Sequence, residues 1–264
     1  MSQAEVPEVT RDISETTVYP DGSRDVAEGV VLCEHFMEVS VNTYPAVRLS
    51  CTPSYLNELV TGRLYTEGII DSYDEISRLF ICKTGSIADV ILSKDIEPVD
   101  HVYNEMTCCT GNIQLLAVKG SRSPEHLGTV APDDAAVFEL AARFAGDSRL
   151  HRKTGGTHSC YLRTPAGDIL EFEDISRHNA VDKAAGYALI NGIDPSGCLV
   201  YTTGRVPEDM VRKCIMAKFP VLISKSVATD AAVKLAGEYG LKLICCAWPD
   251  SYKIISIRDE SHEE

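Results

Sequence analysis

Apolar residues alternate with polar ones near the start of the chain and recur at helical spacing nearer its end. Over residues 29–49, Met37, Val39 and Val41 alternate, Asn42-Thr43 marks a turn, and Ala46 to Leu49 runs back, which predicts two strands. Thr52-Pro53-Ser54 opens a helix carrying Leu56, Leu59 and Leu64, with the proline close to the first helical position, where an N–H is not needed. Residues 74–103 return to strand, clearest in ISRLFIC and SIADVILS. A loop, NEMTCCTGN at 104–112, and a short helix or strand, IQLLAVKG, lead into the polar connector SRSPEHLGTVAPDD. That connector predicts a boundary between a β-rich N-terminal domain, 29–120, and a second domain, 121–258.

Beyond it the period changes. A helix is expected from Asp133 or Asp134, with Val137, Leu140, Ala141 and Phe144 as its stripe and Gly146 as its stop. Tyr161–Arg163 and Ile169–Phe172 flank Pro165-Ala166-Gly167-Asp168, a hairpin signal in which proline fixes φ and glycine accepts positive φ. Ser176, or His178-Asn179, starts a helix whose apolar face is Ala180, Val181, Ala184, Ala185, Ala188 and Leu189. From GCLVYTTG onward strands alternate with helices, PEDMVRKCIMAKF and TDAAVKLAGEYG separating VLISKS and LKLICCAW, with Gly240 as the second stop. Such alternation predicts a mixed α/β chain with parallel strands joined by right-handed crossovers, and ligands collect at the carboxyl ends of those strands. The ends are Thr202-Thr203-Gly204-Arg205, Ser224-Lys225-Ser226 and Cys246-Ala247-Trp248.

Composition sharpens this picture at three points. The 264 residues have the apolar and charged shares of an ordinary globular protein, with no run long enough for a membrane span and no apolar signal region, so a cytoplasmic protein is expected. The net charge of −14 is uneven: residues 1–28 and 258–264 supply −8 of it, and 1–28 and 259–264 read as solvated, mobile acidic tails. No basic stripe for a nucleic-acid duplex is present. Ten cysteines include no C-x-x-C, which argues against a zinc ribbon, and most lie among Val, Leu and Ile as small buried hydrophobes. Cys108-Cys109 stand apart in a polar loop, where a thiolate has the access that sulfur exchange needs.

The chemistry concentrates in residues 154–183. TGGTH and ED-x-x-RHNAVDK place paired glycines, two histidines, a Glu-Asp pair, an Arg and a Lys around one end of the hairpin and one helix N-terminus, which suits an anion. Arg205 is able to fork onto phosphate oxygens beside Gly204, with Ser and Thr hydroxyls as further donors.

These blocks resemble the signature of the formate dehydrogenase accessory sulfur carrier family, FdhD, and so does TPSYLNELVTGRLYTEGII, in which Arg63 stands where the family more often has an aromatic residue. The resemblance covers about residues 29–257. It implies a C-terminal three-layer α/β/α domain of cytidine deaminase-like type. The H-x-E followed by P-C-x-x-C of a zinc deaminase is absent, so no zinc is expected. It further implies a sulfurtransferase: a cysteine desulfurase loads a persulfide onto Cys109, or Cys108 if the loop slides by one, and the sulfur passes to the molybdenum bis(molybdopterin guanine dinucleotide) cofactor of formate dehydrogenase, which guanine nucleotide is able to mimic. The family's usual C-x-x-C is missing from TCCTGN. Cofactor-binding residues implied by the match are Gly155, Gly156, His158, Asp174, Arg177, His178, Asn179, Asp182 and Lys183 in the signature, with His158 the nearest proton handler. Gly204, Arg205, Ser224 and Thr229 are added at the strand ends, and Cys246, Ala247, Trp248, Pro249, Asp250 and Ser251 where Trp248 would stack on a base. A homodimer is expected. The alternatives are a cofactor-holding chaperone without sulfur transfer and, on the same scaffold, a deaminase or hydrolase.

Overall fold

The alternation near the start builds a sheet. A computed structural model describes residues 7–99, 105–107, 112–128 and 130–257. Met37, Val39 and Val41 of β3 (His35–Val41) are buried, and Asn42 and Thr43, both at positive φ, turn the chain into β4 (Tyr44–Cys51). β6 (Ile87–Leu92) pairs with β3 in parallel, and β5 (Ile76–Ile81) lies outside it. β7 (Glu105–Thr107) and β8 (Asn112–Gln114) extend the β4 edge, giving the order β5-β6-β3-β4-β8-β7. Cys108 and Cys109, between β7 and β8 in sequence, lie outside the described residues.

The second sheet has the order β10-β9-β11-β12-β13-β14. β9 (His158–Arg163) and β10 (Ile169–Asp174) form the predicted hairpin. β11 (Leu199–Thr202), β12 (Val221–Ser224) and β13 (Lys242–Cys245) are parallel, joined through α5 (Glu208–Met216) and α6 (Asp230–Tyr239), which Gly240 ends at φ 73°. β14 (Lys253–Ile255) closes the edge. One face packs on α2 (Asp134–Asp147) through Val137 and Leu140 against Tyr161 and Tyr201. The other packs on α4 (Arg177–Ile190), α5 and α6, so this half is three-layered. α3 (Arg149–Thr154) leads into β9.

α1 (Leu56–Thr66) crosses α4 and joins the halves. A Cβ on Gly62 would stand 1.7 Å from the Asp182 carbonyl oxygen, and one on Gly186 would stand 1.9 Å from that of Glu58, so the two backbones touch where only glycine fits. One apolar cluster therefore runs from Met37 and Leu49 through Leu59, Leu64, Ala184 and Ala185 to Leu222 and Leu243.

Two expectations are corrected. The tail expected at residues 1–28 is, over Thr10–Val18 (β1) and Arg24–Leu32 (β2), a two-stranded antiparallel ribbon. Charge pointed to a tail, but the Thr and Val content is that of strands. The turn between them is built by Gly22 at φ 84° and by Asp21, whose carboxylate accepts from the backbone N–H and hydroxyl of Ser23. The helix assigned to Thr52-Pro53-Ser54 begins only at Leu56. Thr52 is engaged elsewhere: its N–H donates to Asp174, its hydroxyl accepts from the Ile175 N–H and its carbonyl accepts from Lys183. Among the described residues no helix is long and apolar enough to cross a membrane.

Candidate functional site: a basic cleft at the strand ends

Where β11 and β12 end, the chain opens a cleft of about 440 Å³. Its floor is the Thr203-Gly204-Arg205 and Lys225-Ser226 loops, its far wall is Gly155 to His158 with His151 of α3, and Arg177 enters from the first turn of α4. Ser224 ties the floor together: its hydroxyl donates to the Gly204 carbonyl at 2.8 Å and accepts from the Ser226 N–H at 3.0 Å. Gly204 is where Arg177 crosses, since a Cβ there would meet Arg177 Cδ at 2.7 Å. Thr203 links the floor to β9, accepting from the Ser159 N–H at 3.1 Å and meeting His158 Nδ1 at 3.4 Å.

The electrostatics are one-sided. Arg177, Arg205 and Lys225 face the cleft, and among the described residues none of them forms an ion pair with a carboxylate. Lys225 lies 4.9 Å from the Phe144 ring, which stacks on Tyr201. Burial, then the nearby Arg177 guanidinium, push the His158 imidazole below its usual value, which favours the neutral ring. Asp209 of α5 feels the Arg177 charge without forming an ion pair with it, and three cations gathered at one cleft make a receptor for an anion such as a phosphate group.

Gly155, Gly156, His158, Arg177, Gly204 and Arg205 are thus brought together. Ser224 and Thr229 lie just behind: Thr229 caps α6 by accepting from the Ala232 N–H. Ala247 is buried, and its carbonyl accepts from the Tyr201 hydroxyl. Cys246, at φ 49°, donates its N–H to the Ser226 carbonyl. Trp248 to Ser251, with Pro249 and Asp250 between them, form an exposed turn in which Trp248 is 6.5 Å from Phe144.

The rest of the signature is a buried joint. Lys183 Nζ reaches Asp174 Oδ2 at 2.7 Å, and both side chains are fully buried. Asp174 also accepts from the N–H groups of Thr52 and Ser176 and from Asn179 Nδ2. Asn179 continues to the Ser50 carbonyl and accepts from Asn112, the residue that opens β8. Asp182 accepts from Lys213 at 2.8 Å and from the Thr66 hydroxyl at 2.7 Å, with Arg63 Nη1 at 3.7 Å. His178 is buried beside Asp209, Nε2 to Oδ2 being 3.0 Å. Residue spacing alone did not single out His151. Its signal is its place on the short helix just before the paired glycines, seven residues ahead of His158.

Fold and site together define a mixed α/β protein with an anion-receptive cleft at its parallel strand ends. The chain belongs to the FdhD/NarQ family, whose profile matches residues 32–260. It is 28% identical over 221 residues to the sulfur carrier protein FdhD of Shouchella clausii, covering 80% of this chain and 82% of that protein. With the protein of the same name from Geobacillus kaustophilus it shares 30% over 237 residues, covering 86% and 88%. A solved structure of a protein assigned as a formate dehydrogenase accessory protein, from Desulfotalea psychrophila, has a TM-score of 0.73 at 22% identity and covers 95% of this chain and 98% of that one, which identifies a common fold.

Proposed function

We propose that this protein is a sulfur carrier serving formate dehydrogenase. A thiolate of Cys109 or Cys108 accepts a persulfide sulfur from a cysteine desulfurase. The cleft holds the molybdenum bis(molybdopterin guanine dinucleotide) cofactor, as substrate, through its anionic phosphates. The terminal sulfur moves to that substrate as the S–S bond breaks and the cysteine leaves as its thiolate, the two electrons that turn this sulfane sulfur into a sulfide ligand coming from the reduced metal centre of the substrate.

The observation that supports this reading is the trio Arg177, Arg205 and Lys225, unpaired with carboxylates and gathered over glycine at the strand ends. A second feature is consistent with it. Asn112, which directly follows the cysteine-bearing segment, is bonded to Asn179 two residues after Arg177, so the root of that segment and the cleft share one helix start. The relatives named as sulfur carriers extend over most of the chain.

The test is peptide mass spectrometry after incubation with a cysteine desulfurase and cysteine. A reductant-labile gain of one sulfur on Cys109 or Cys108 is the expected outcome. With a desulfurase proven active on another acceptor, absence of that adduct replaces the carrier with a cofactor-holding chaperone.

A further inference from the structure

Glu173, beside the signature aspartate, takes four donors on one carboxylate. The N–H groups of Leu150 and His151 reach it at 2.9 Å, the Thr157 hydroxyl at 2.9 Å and the Ser148 hydroxyl at 3.2 Å. One side chain on β10 therefore fixes both α3 and the segment beyond the paired glycines. The ring of His151 bridges the same two pieces, its Nδ1 lying 2.7 Å from the Thr157 carbonyl oxygen. A carbonyl oxygen only accepts, so Nδ1 carries the hydrogen, and the neutral ring has its lone pair at Nε2. Because His151 lines the cleft and Nδ1 is spent on the backbone, Nε2 is the ring atom left for a ligand.

A lone pair in this position is out of character with its surroundings. Arg177, Arg205 and Lys225 offer only hydrogens, and anionic oxygens are drawn to them. An anionic oxygen placed against the Nε2 lone pair is repelled, whereas an N–H, O–H or S–H group is accepted. We infer that His151 is a specificity-determining residue that accepts a hydrogen bond from a proton-bearing group of the ligand whose phosphates the cleft cations hold, and that Glu173 is the positioning residue that keeps its Nε2 aimed there. This rests on the cleft being the ligand site.

Two substitutions separate this role from a structural one. An asparagine at 151 puts an amide nitrogen where Nδ1 was, keeping the bond to Thr157 and losing the acceptor. A glutamine puts its amide oxygen near the place of Nε2, keeping an acceptor and losing the bond to Thr157. With guanosine diphosphate as the probe in calorimetric titration, His151→Asn is expected to weaken binding on the order of ten-fold. His151→Gln is expected to weaken it only about two- to three-fold. A structural histidine gives the reverse order, and binding by the asparagine variant equal to that of the unaltered chain also overturns the inference. Glu173→Gln is expected to bind as weakly as His151→Asn, and nitrogen NMR of the His151 imidazole is expected to change from a single Nδ1–H tautomer to a mixture. An unchanged tautomer removes Glu173 from the proposal. If the unaltered chain fails to bind the nucleotide, the cleft reading itself falls and takes this inference with it.

Discussion

Two regions that each take residues from the thirty-residue signature, the joint and the cleft, do opposite things with charge. In the joint between α1 and α4, Asp174, Asp182, Lys183 and Lys213 are buried and meet partners at close range, so their charges cancel locally. In the cleft, Arg177, Arg205 and Lys225 line one opening and form no ion pair with a carboxylate among the described residues, although Asp209 lies near enough to feel Arg177. A buried pair is costly to desolvate and worse to break, while cations left uncompensated at a surface bear on stability little and on anions strongly. The joint is thus architecture made of polar groups, and the cleft is where this charge is left to act on a ligand. Arg63, where the family more often has an aromatic residue, belongs to the joint: it is buried, with Asp182, Glu67 and Gln114 around its guanidinium.

The largest effect that tests this contrast is in the joint. Lys183→Met leaves the Asp174 carboxylate buried without its counter-ion and is expected to cost about 3–5 kcal/mol. Thermal unfolding is expected to fall on the order of 10 °C. A variant that melts with the unaltered chain would put the joint on the same footing as the cleft. Next comes Gly186→Ala, whose methyl group meets the Glu58 carbonyl rather than a movable side chain. Separating two touching helix backbones is expected to cost about 1–3 kcal/mol, read as a lower denaturation midpoint.

The sequence reading anticipates the sheets because apolar alternation and the helix-stop glycines are local signals. It does not separate joint from cleft. Asn179, Asp182, Lys183 and Gly186 recur three and four apart and form a polar stripe on α4. Such a stripe looks the same whether it faces a ligand or another polar helix, and its partners, Arg63, Thr66 and Lys213, are remote in sequence. Arg177, Gly204 and Arg205 were legible because strand-to-helix alternation fixes which loops share a sheet edge. The acceptor role of His151 was not legible, since it depends on one carbonyl six residues away being turned toward its ring. The ribbon was hidden by acidic residues that a tail and a solvated strand pair carry equally well.

In the cleft the expected balance is reversed. Gly204→Ala adds a methyl against Arg177, whose Cδ is able to move aside while its Cβ, 3.1 Å away, has only a few tenths of an ångström to yield, and Arg205→Ala removes an exposed cation. Stability is expected to change by no more than about 0.5 kcal/mol in Arg205→Ala, a surface position, and by about 1 kcal/mol in Gly204→Ala, less than in Gly186→Ala because the Arg177 side chain yields where the Glu58 backbone does not. Affinity for guanosine diphosphate is expected to fall on the order of ten-fold, the worth of one charge-assisted hydrogen bond. Equal losses of stability in Gly204→Ala and Gly186→Ala would erase the distinction between the two regions.

The smallest effect is a pH dependence arising from His158. Burial first, and then Arg177, His151, Lys225 and His178, hold its folded pKa below the ordinary value of 6.5 that the unfolded chain shows. In the window below 6.5 the unfolded chain binds a proton that the folded one does not, so protonation favours unfolding. The contribution of His158 is therefore neutral above 6.5, and stability is lost as the pH falls from 6.5 toward the folded value. An anionic ligand reverses the sign of the field that Arg177 and Lys225 impose, which makes the protonated ring easier to form. Denaturation midpoints are expected to drop on acidification in the unaltered chain and to drop less in His158→Gln, with the difference narrowed by saturating guanosine diphosphate. An acid slope identical in both proteins would assign the titration to another group and leave His158 a neutral wall of the cleft.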